Sequence, residues 1–273
     1  MKIINYQIKH LEQGFTIVEL MIALSVLSVI LLMSTIVMIN IGGLYDKGVT
    51  SANLQNASRN IVADITSGIQ FSASPPEACL PPTMTYLSRG INNYCSQDTS
   101  SKYPYQFKLN NSGPPVYIGA YCVGVARYSF IINAELGLDS STGINIPYVL
   151  WRDTLSNPNG NCTPASNMVS AENNPSQNPT TNDNNSVSNS GYEMLPEYSR
   201  LTEFDLSLDQ NIDNSNVYNV SIATAYGESG LLNIPTNNGQ VNSEASCKST
   251  LSHISTNFCA TYYFSTTVAE RLY

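Results

Sequence analysis

The chain has 273 residues, of which 42% are hydrophobic and only 12% charged, with a formal net charge of −8. That balance excludes a nucleic-acid groove, which needs clustered Lys and Arg against phosphates, and no such cluster occurs. The length leaves room for one large domain or two small ones.

The first element is "FTIVELMIALSVLSVILLMSTIVMI", Phe15 to Ile39, in which Glu19 is the one ionisable residue. As a helix it would reach about 38 Å, enough for a bilayer core of about 30 Å. Lys2 and Lys9 precede it, while Asp46 and Lys47 cancel just beyond it. The positive-inside bias then puts the amino terminus in the cytoplasm and everything after Asn40 outside. A secretory signal would have a shorter apolar core and a small-x-small cleavage site, which "MINIGGLY" does not offer. An uncleaved membrane anchor carrying an extracytoplasmic binding or adhesion head leaves Glu19 unexplained, because a carboxylate in a membrane helix is costly and is kept for a reason.

A third reading starts from "QGFTIVEL", Gln13 to Leu20, with a short charged leader before it and an unbroken apolar run after it. This stretch resembles the cleavage and methylation motif of type IV pilins and type II secretion pseudopilins. The resemblance implies a prepilin leader, residues 1–14, cut by a prepilin peptidase/methyltransferase between Gly14 and Phe15, with N-methylation of Phe15. It further implies that Glu19 pairs with the Phe15 ammonium of a neighbouring subunit during assembly. The chemistry is intelligible: glycine lets a protease approach the backbone closely, and two charges costly apart in an apolar core become tolerable together. Losing Lys2, Lys9 and Glu12 with the leader leaves ten basic against nineteen acidic residues, a net −9.

Beyond the membrane segment, Leu54, Ala57, Ile61, Ile65 and Ile69 fall on one helix face. "NASRN" and "ADITS" between them are polar and are expected to face elsewhere. No proline occurs before Pro75, so one helix over 15–71 is expected, with 15–41 as its transmembrane or filament-core part. Gly42, Gly43 and Gly48 weaken it locally. They predict either a bend or partial melting on assembly, or a plain break between a membrane helix and a soluble one.

After "SASPPEACLPP" the pattern turns to strands, and residues 72–273 are expected to form an extracytoplasmic head. Pro115–Leu136 reads as one or two strands around Gly124, Ile146–Leu155 as another, and Arg200–Gln210 with Asn216–Gly227 as a hairpin. Phe258–Leu272 could close the sheet. The fold class that follows is α+β, with a long amino-terminal amphipathic and transmembrane helix packed on an antiparallel β-sheet head. Residues 156–191, dominated by Asn, Ser, Pro and Thr, read as a mobile surface loop. The order of the last strands, ending near Arg271, is similar to the head of minor pilins of the PilW/PulJ-like group.

The six cysteines, Cys79, Cys95, Cys122, Cys162, Cys247 and Cys259, all follow the apolar segment. An even number there points to disulfides in an oxidising compartment, and near neighbours are the favoured pairs: Cys79–Cys95, Cys122–Cys162 and Cys247–Cys259. Catalytic signatures are missing: His253 stands alone among exported residues, and no nucleophile elbow, P-loop or dinucleotide fingerprint occurs. No enzymatic role and no cofactor are therefore expected. Asp209, Asn211 and Asp213 have the alternate spacing of a calcium loop, but Asn214 and Val220 replace its Gly and Glu. A hairpin turn is the simpler account. Arg152–Asp153 reads as a strand-end ion pair, and Trp151 and the 17 tyrosines as sheet and core residues rather than a glycan platform.

The resemblance therefore implies a minor pilin or pseudopilin precursor. Its partners would be the prepilin peptidase, other pilins or pseudopilins, and an inner-membrane assembly platform with its ATPase. Its course would run from the cytoplasmic membrane, with the head outside, to an extracellular pilus or a periplasmic, cell-envelope pseudopilus. A filament for DNA uptake would share the same amino terminus.

Overall fold

A computed structural model describes residues 16–72, 74–80, 89–93, 106–108, 115–134, 136–138, 145–146, 148–155, 162–165, 168, 191–209, 216–227, 231–233, 236–237, 240–241, 245–248 and 259–271. The chain divides into two compact units, residues 1–46 and 47–273. One helix, α1 (Ile17–Phe71), begins in the first unit and ends in the second. It runs unbroken through Gly42, Gly43 and Gly48, so the break weighed from sequence is absent. Three isolated glycines cost up to about 1 kcal/mol each, too little to interrupt so long a hydrogen-bonded run. The helix stops at Ser72, whose amide still donates to Gly68 O (2.8 Å) and whose hydroxyl donates to Ser74 O (2.8 Å). Pro75 and Pro76 then exclude further turns.

Within the second unit, α1 buries Leu54, Ser58, Ile61, Val62, Ile65 and Ile69. Four of the five apolar positions expected on that face are there, while Ala57 is only half-buried. Of the polar residues expected to face solvent, one is buried and one is half-buried against the sheets. Ser58 is fully buried, its hydroxyl 3.0 Å from that of Thr224. Asp64 accepts from Tyr128 Oη (2.6 Å) and Arg152 Nε (2.5 Å). Both are tolerated because each has a partner on the sheets.

Among the described residues the two main sheets of the head are built on β1 (Glu77–Cys79), β2 (Pro115–Val123), β3 (Ala126–Ile131), β4 (Leu150–Thr154), β5 (Ser199–Leu208), β6 (Val217–Tyr226) and β7 (Ala260–Ala269). The first sheet runs β1-β2-β3-β4, antiparallel throughout. It is extended by Asn92–Asn93 parallel to β1, by Gln106–Lys108 beside β2 and by Tyr192–Glu193 beside β4. The second is β5-β6-β7, also antiparallel. The expected segment Ile146–Leu155 is shorter as a strand, since Ile146 belongs to a separate pairing with Gly137–Leu138. Thr202 is the extra residue of a bulge in β5, and its hydroxyl donates to Ala223 O (3.1 Å).

The core lies where these pieces meet. Tyr121 and Phe130 of the first sheet and Phe204 of the second form an aromatic triangle with centroids 5.1–5.2 Å apart. Gly119 permits it, because a Cβ there would stand 2.7 Å from the Phe130 ring. Gly191 likewise admits Trp151, whose ring would be 2.3 Å from any Cβ. Trp151 is buried, as are Tyr121 and Tyr128, so these aromatics build the core.

The segment 156–191 corrects the expectation of a free loop at its described residues. Cys162, Ala165 and Met168 are fully buried. Ala165 N donates to the buried Ser129 hydroxyl (2.8 Å), and Thr163 O accepts from Arg127 Nη1 (3.1 Å).

Candidate functional site

The residues proposed for processing, Gly14 and Phe15, lie outside the described residues, and the site is built from Thr16 onward. Thr16 caps α1 and Glu19 is three residues into it. Glu19 N donates to Thr16 Oγ1 (3.3 Å), while Thr16 N and Thr16 Oγ1 each donate to Glu19 Oε2 (3.0 Å). This is a reciprocal capping box, which satisfies amides that a helix start leaves without partners. The spelling T-x-x-E was legible in "TIVE", yet reading Glu19 only as an assembly charge missed it. The carboxylate therefore also pins the first turn of its own helix.

From Ile17 to Tyr45 the large apolar side chains are all exposed, and the segment contains an apolar window with a mean hydropathy of 2.7. Its hydroxyls fold back on the helix: Ser25 to Ile22 O (2.8 Å), Ser28 to Ser25 O (2.7 Å), Ser34 to Ile30 O (2.8 Å) and Thr35 to Leu31 O (2.9 Å). Each Ser and Thr hydroxyl in that stretch thus has a partner within the helix, which suits a hydrocarbon surrounding. Helix α1 is long and apolar enough to cross a membrane.

Among the described residues no cluster of His, Cys, Asp or Glu could hold a metal. Of the calcium candidate only Asp209 is described, and its amide donates to Val217 O (2.8 Å), closing the β5–β6 pair. Asn211, Asp213 and His253 lie outside the described residues.

The Arg152–Asp153 pair read from sequence does not exist. Successive strand residues point to opposite faces. Arg152 reaches Asp64 on α1 and stacks over the Tyr192 ring at 5.8 Å, whereas Asp153 turns inward to Arg127. Arg127 and Asp153, 2% and 4% exposed, form a forked pair, Nε to Oδ1 at 2.8 Å and Nη2 to Oδ2. Burial, followed by the hydrogen bond to Asp64, pushes the Tyr128 phenol well above its ordinary range. Glu193 is the most unusual acid. Its carboxylate accepts from the amides of Val149, Leu150, Met194 and Leu195 (2.7–3.1 Å). Burial nevertheless raises it to about 7, against the downward pull of those amides. These groups tie strand to strand or helix to sheet, an arrangement that serves packing.

Cys122–Cys162 and Cys247–Cys259 are disulfides, and Cys79 is disulfide-bonded too. Cys95 lies outside the described residues. The Cys122–Cys162 bridge sits with Cys79, Ala120 and Leu155 in a small apolar cluster. Cys247–Cys259 ties the start of β7 to a second cluster of Ala225, Leu231, Leu232 and Ala245.

No curated protein and no solved structure matches the chain. The model of the family described as the prokaryotic N-terminal methylation motif matches residues 9–35, the stretch that holds Gly14, Phe15 and Glu19, and it supports a prepilin-like precursor anchored by its amino-terminal helix.

Proposed function

We propose that this chain is the precursor of a minor type IV pilin or pseudopilin, a non-enzymatic structural subunit that is assembled into a pilus-like filament or primes one. A prepilin peptidase cleaves it after Gly14 and methylates Phe15. The observation that carries this reading is the methylation motif over 9–35, continuous with a helix whose apolar side chains are exposed from Ile17 to Tyr45. Such a helix needs lipid before assembly and neighbouring helices after it. Glu19 then has two partners in sequence of events: its own Thr16 while the subunit is in the membrane, and the Phe15 ammonium of a neighbour in the filament. A head of residues 72–273 and a closing strand that ends beside Arg271 support a minor subunit of the PilW/PulJ-like kind.

The test is the intact mass and amino-terminal sequence of the protein taken from its native membrane. A chain beginning with N-methyl-Phe15 is expected, and Gly14→Trp is expected to leave residues 1–14 attached. A chain that begins at Met1 where prepilin peptidase is active would overturn the reading and leave an uncleaved, membrane-anchored binding protein.

A further inference from the structure

Strand β7 is the outer strand of the β5-β6-β7 sheet and pairs with β6 from Val217↔Ala269 to Tyr226↔Ala260 without a register shift. It is held less firmly than its neighbour. Of its ten residues only Ala260 and Val268 are buried, whereas β6 buries seven of ten. A groove of about 280 Å³ runs between Val62 and Thr66 of α1 and Phe264, Thr266 and Val268 of β7, so helix and strand are not closely packed there. Arg59 Nε donates to Tyr262 Oη (3.2 Å), and Arg271 stacks over the Phe71 ring at 5.3 Å. A strand with few buried side chains belongs to the low-stability end of a fold. Its start, by contrast, is fixed covalently. Cys259, the residue before β7, is bridged to Cys247, their Cα atoms 5.7 Å apart. Cys247 pairs with Leu232, and Leu231, Leu232, Ala245 and Cys259 cluster with Ala225 of β6. Ala260 is thus tied to the end of β6 with which it pairs.

We propose that the Cys247–Cys259 bridge is a latch that keeps β7 on its own head, and that a head without the latch exchanges β7 reciprocally with a second copy of the chain. Complementarity names the occupant, because the surface that fits the edge of β6 over ten residues is β7 itself. In the exchanged pair every contact of β7 recurs between copies, so the reach of the connection and the local concentration set the balance. With the bridge closed, Ala260 stays within a few ångströms of its own β6, roughly the span of one disulfide. With it open, the stretch from Cys247 to Ala260 can reach up to about 43 Å. That is several times the roughly 10 Å between packed elements.

Direction permits the exchange in a membrane. Strand β7 runs alongside α1 in the same sense, from Tyr262 beside Arg59 to Arg271 beside Phe71. A two-fold axis parallel to that stretch of α1 keeps this sense in both copies. Two chains anchored side by side can therefore trade β7 without either turning over, and tethering raises their effective concentration. The inference goes beyond the proposed function, because it needs the anchor and the head but no cleavage at Gly14.

The experiment co-produces two full chains of distinguishable mass in membranes, one with Ser221→Cys and the other with Ser265→Cys, and sizes them after oxidation without reductant. Ser221 and Ser265 are register partners on β6 and β7. Opposite residues of an antiparallel pair stand about 4.5–5.5 Å apart, within disulfide reach. Ser221 is buried in the middle strand, so a link between the two chains requires the β7 of one on the β6 of the other. With Cys247–Cys259 intact the mixed link is expected to be rare, and Cys247→Ser/Cys259→Ser in both chains is expected to raise it about tenfold or more. A second version keeps the bridge and adds a Gly-Ser insert of about eight residues between Cys259 and Ala260, which gives β7 roughly 26 Å of slack. It is expected to show the same rise, and it decides the question where the bridge-free head fails to fold. Both new cysteines in one latched chain are expected to link within that chain. No rise in mixed link in either version, equal mixed link with the latch intact, or linked dimers of the latched double-cysteine chain would each overturn the proposal.

Discussion

Replacing Asp153 by Ala is expected to destabilise the head by about 3–5 kcal/mol, the usual cost of removing one partner of a buried ion pair. The geometry puts this pair at that end of the range of salt bridges. Arg127 and Asp153 are register partners on β3 and β4 and are 2% and 4% exposed, so water reaches neither. Without Asp153 the guanidinium keeps, among the described residues, Thr163 O at 3.1 Å for its five donors. For a domain of this size each kcal/mol moves the midpoint by about 2–4 °C, giving a fall of roughly 6–20 °C. Thermal unfolding of the full chain in detergent, followed by near-ultraviolet circular dichroism, reads this directly. The double variant Arg127→Met/Asp153→Leu removes both charges and fills the same space, so it is expected to cost less than Asp153→Ala alone. A loss below about 1 kcal/mol for Asp153→Ala, the value of an exposed pair, would refute the reasoning. So would a double variant less stable than the single one.

Glu193 gives a pH dependence of defined sign. Its folded value, about 7, lies above the ordinary 4.5, so the native state holds this proton more tightly than the unfolded chain does. Stability is expected to rise as pH falls from about 7 to 4.5, by up to about 3 kcal/mol, and Glu193→Gln is expected to flatten that part of the profile. Midpoints of the two proteins compared from pH 4.5 to 7.5 check it; parallel curves would count against it. Separately, Cys122→Ser/Cys162→Ser opens a bridge across 40 residues and is expected to cost about 2–5 kcal/mol. Limited proteolysis is expected to cut first near Thr163, because the bridge and the Arg127 contact hold the same segment; cleavage elsewhere first would sink that idea.

Much of the architecture was legible as periodicity. The helix to Phe71, the turn at Gly124, the β5–β6 hairpin and the closing strand β7 each follow from spacing and from the placement of Gly and Pro. The capping box was equally legible as Thr16 and Glu19, but a charge in an apolar helix drew attention to partners outside the chain. Pattern reading failed where a polar residue found a distant partner. Ser58, Asp64 and Asp153 are ordinary surface residues by composition, and their inward placement, full for Ser58 and Asp153 and partial for Asp64, depends on Thr224, Tyr128 with Arg152, and Arg127, which lie 166, 64 and 88, and 26 positions away.

The sequence by itself determined the anchor, the processing motif and the order of helix and strands, because these rest on local properties: hydropathy along one helix, and alternation along one strand. Only the tertiary structure decided which polar side chains are buried and which partner each takes. Both depend on which strands become neighbours, and neighbour choice is made by long-range packing around Tyr121, Phe130 and Phe204. The side of Arg152 and of Asp153 shows the difference plainly. Adjacent in the chain, they serve opposite faces of β4, because a strand turns each successive side chain over.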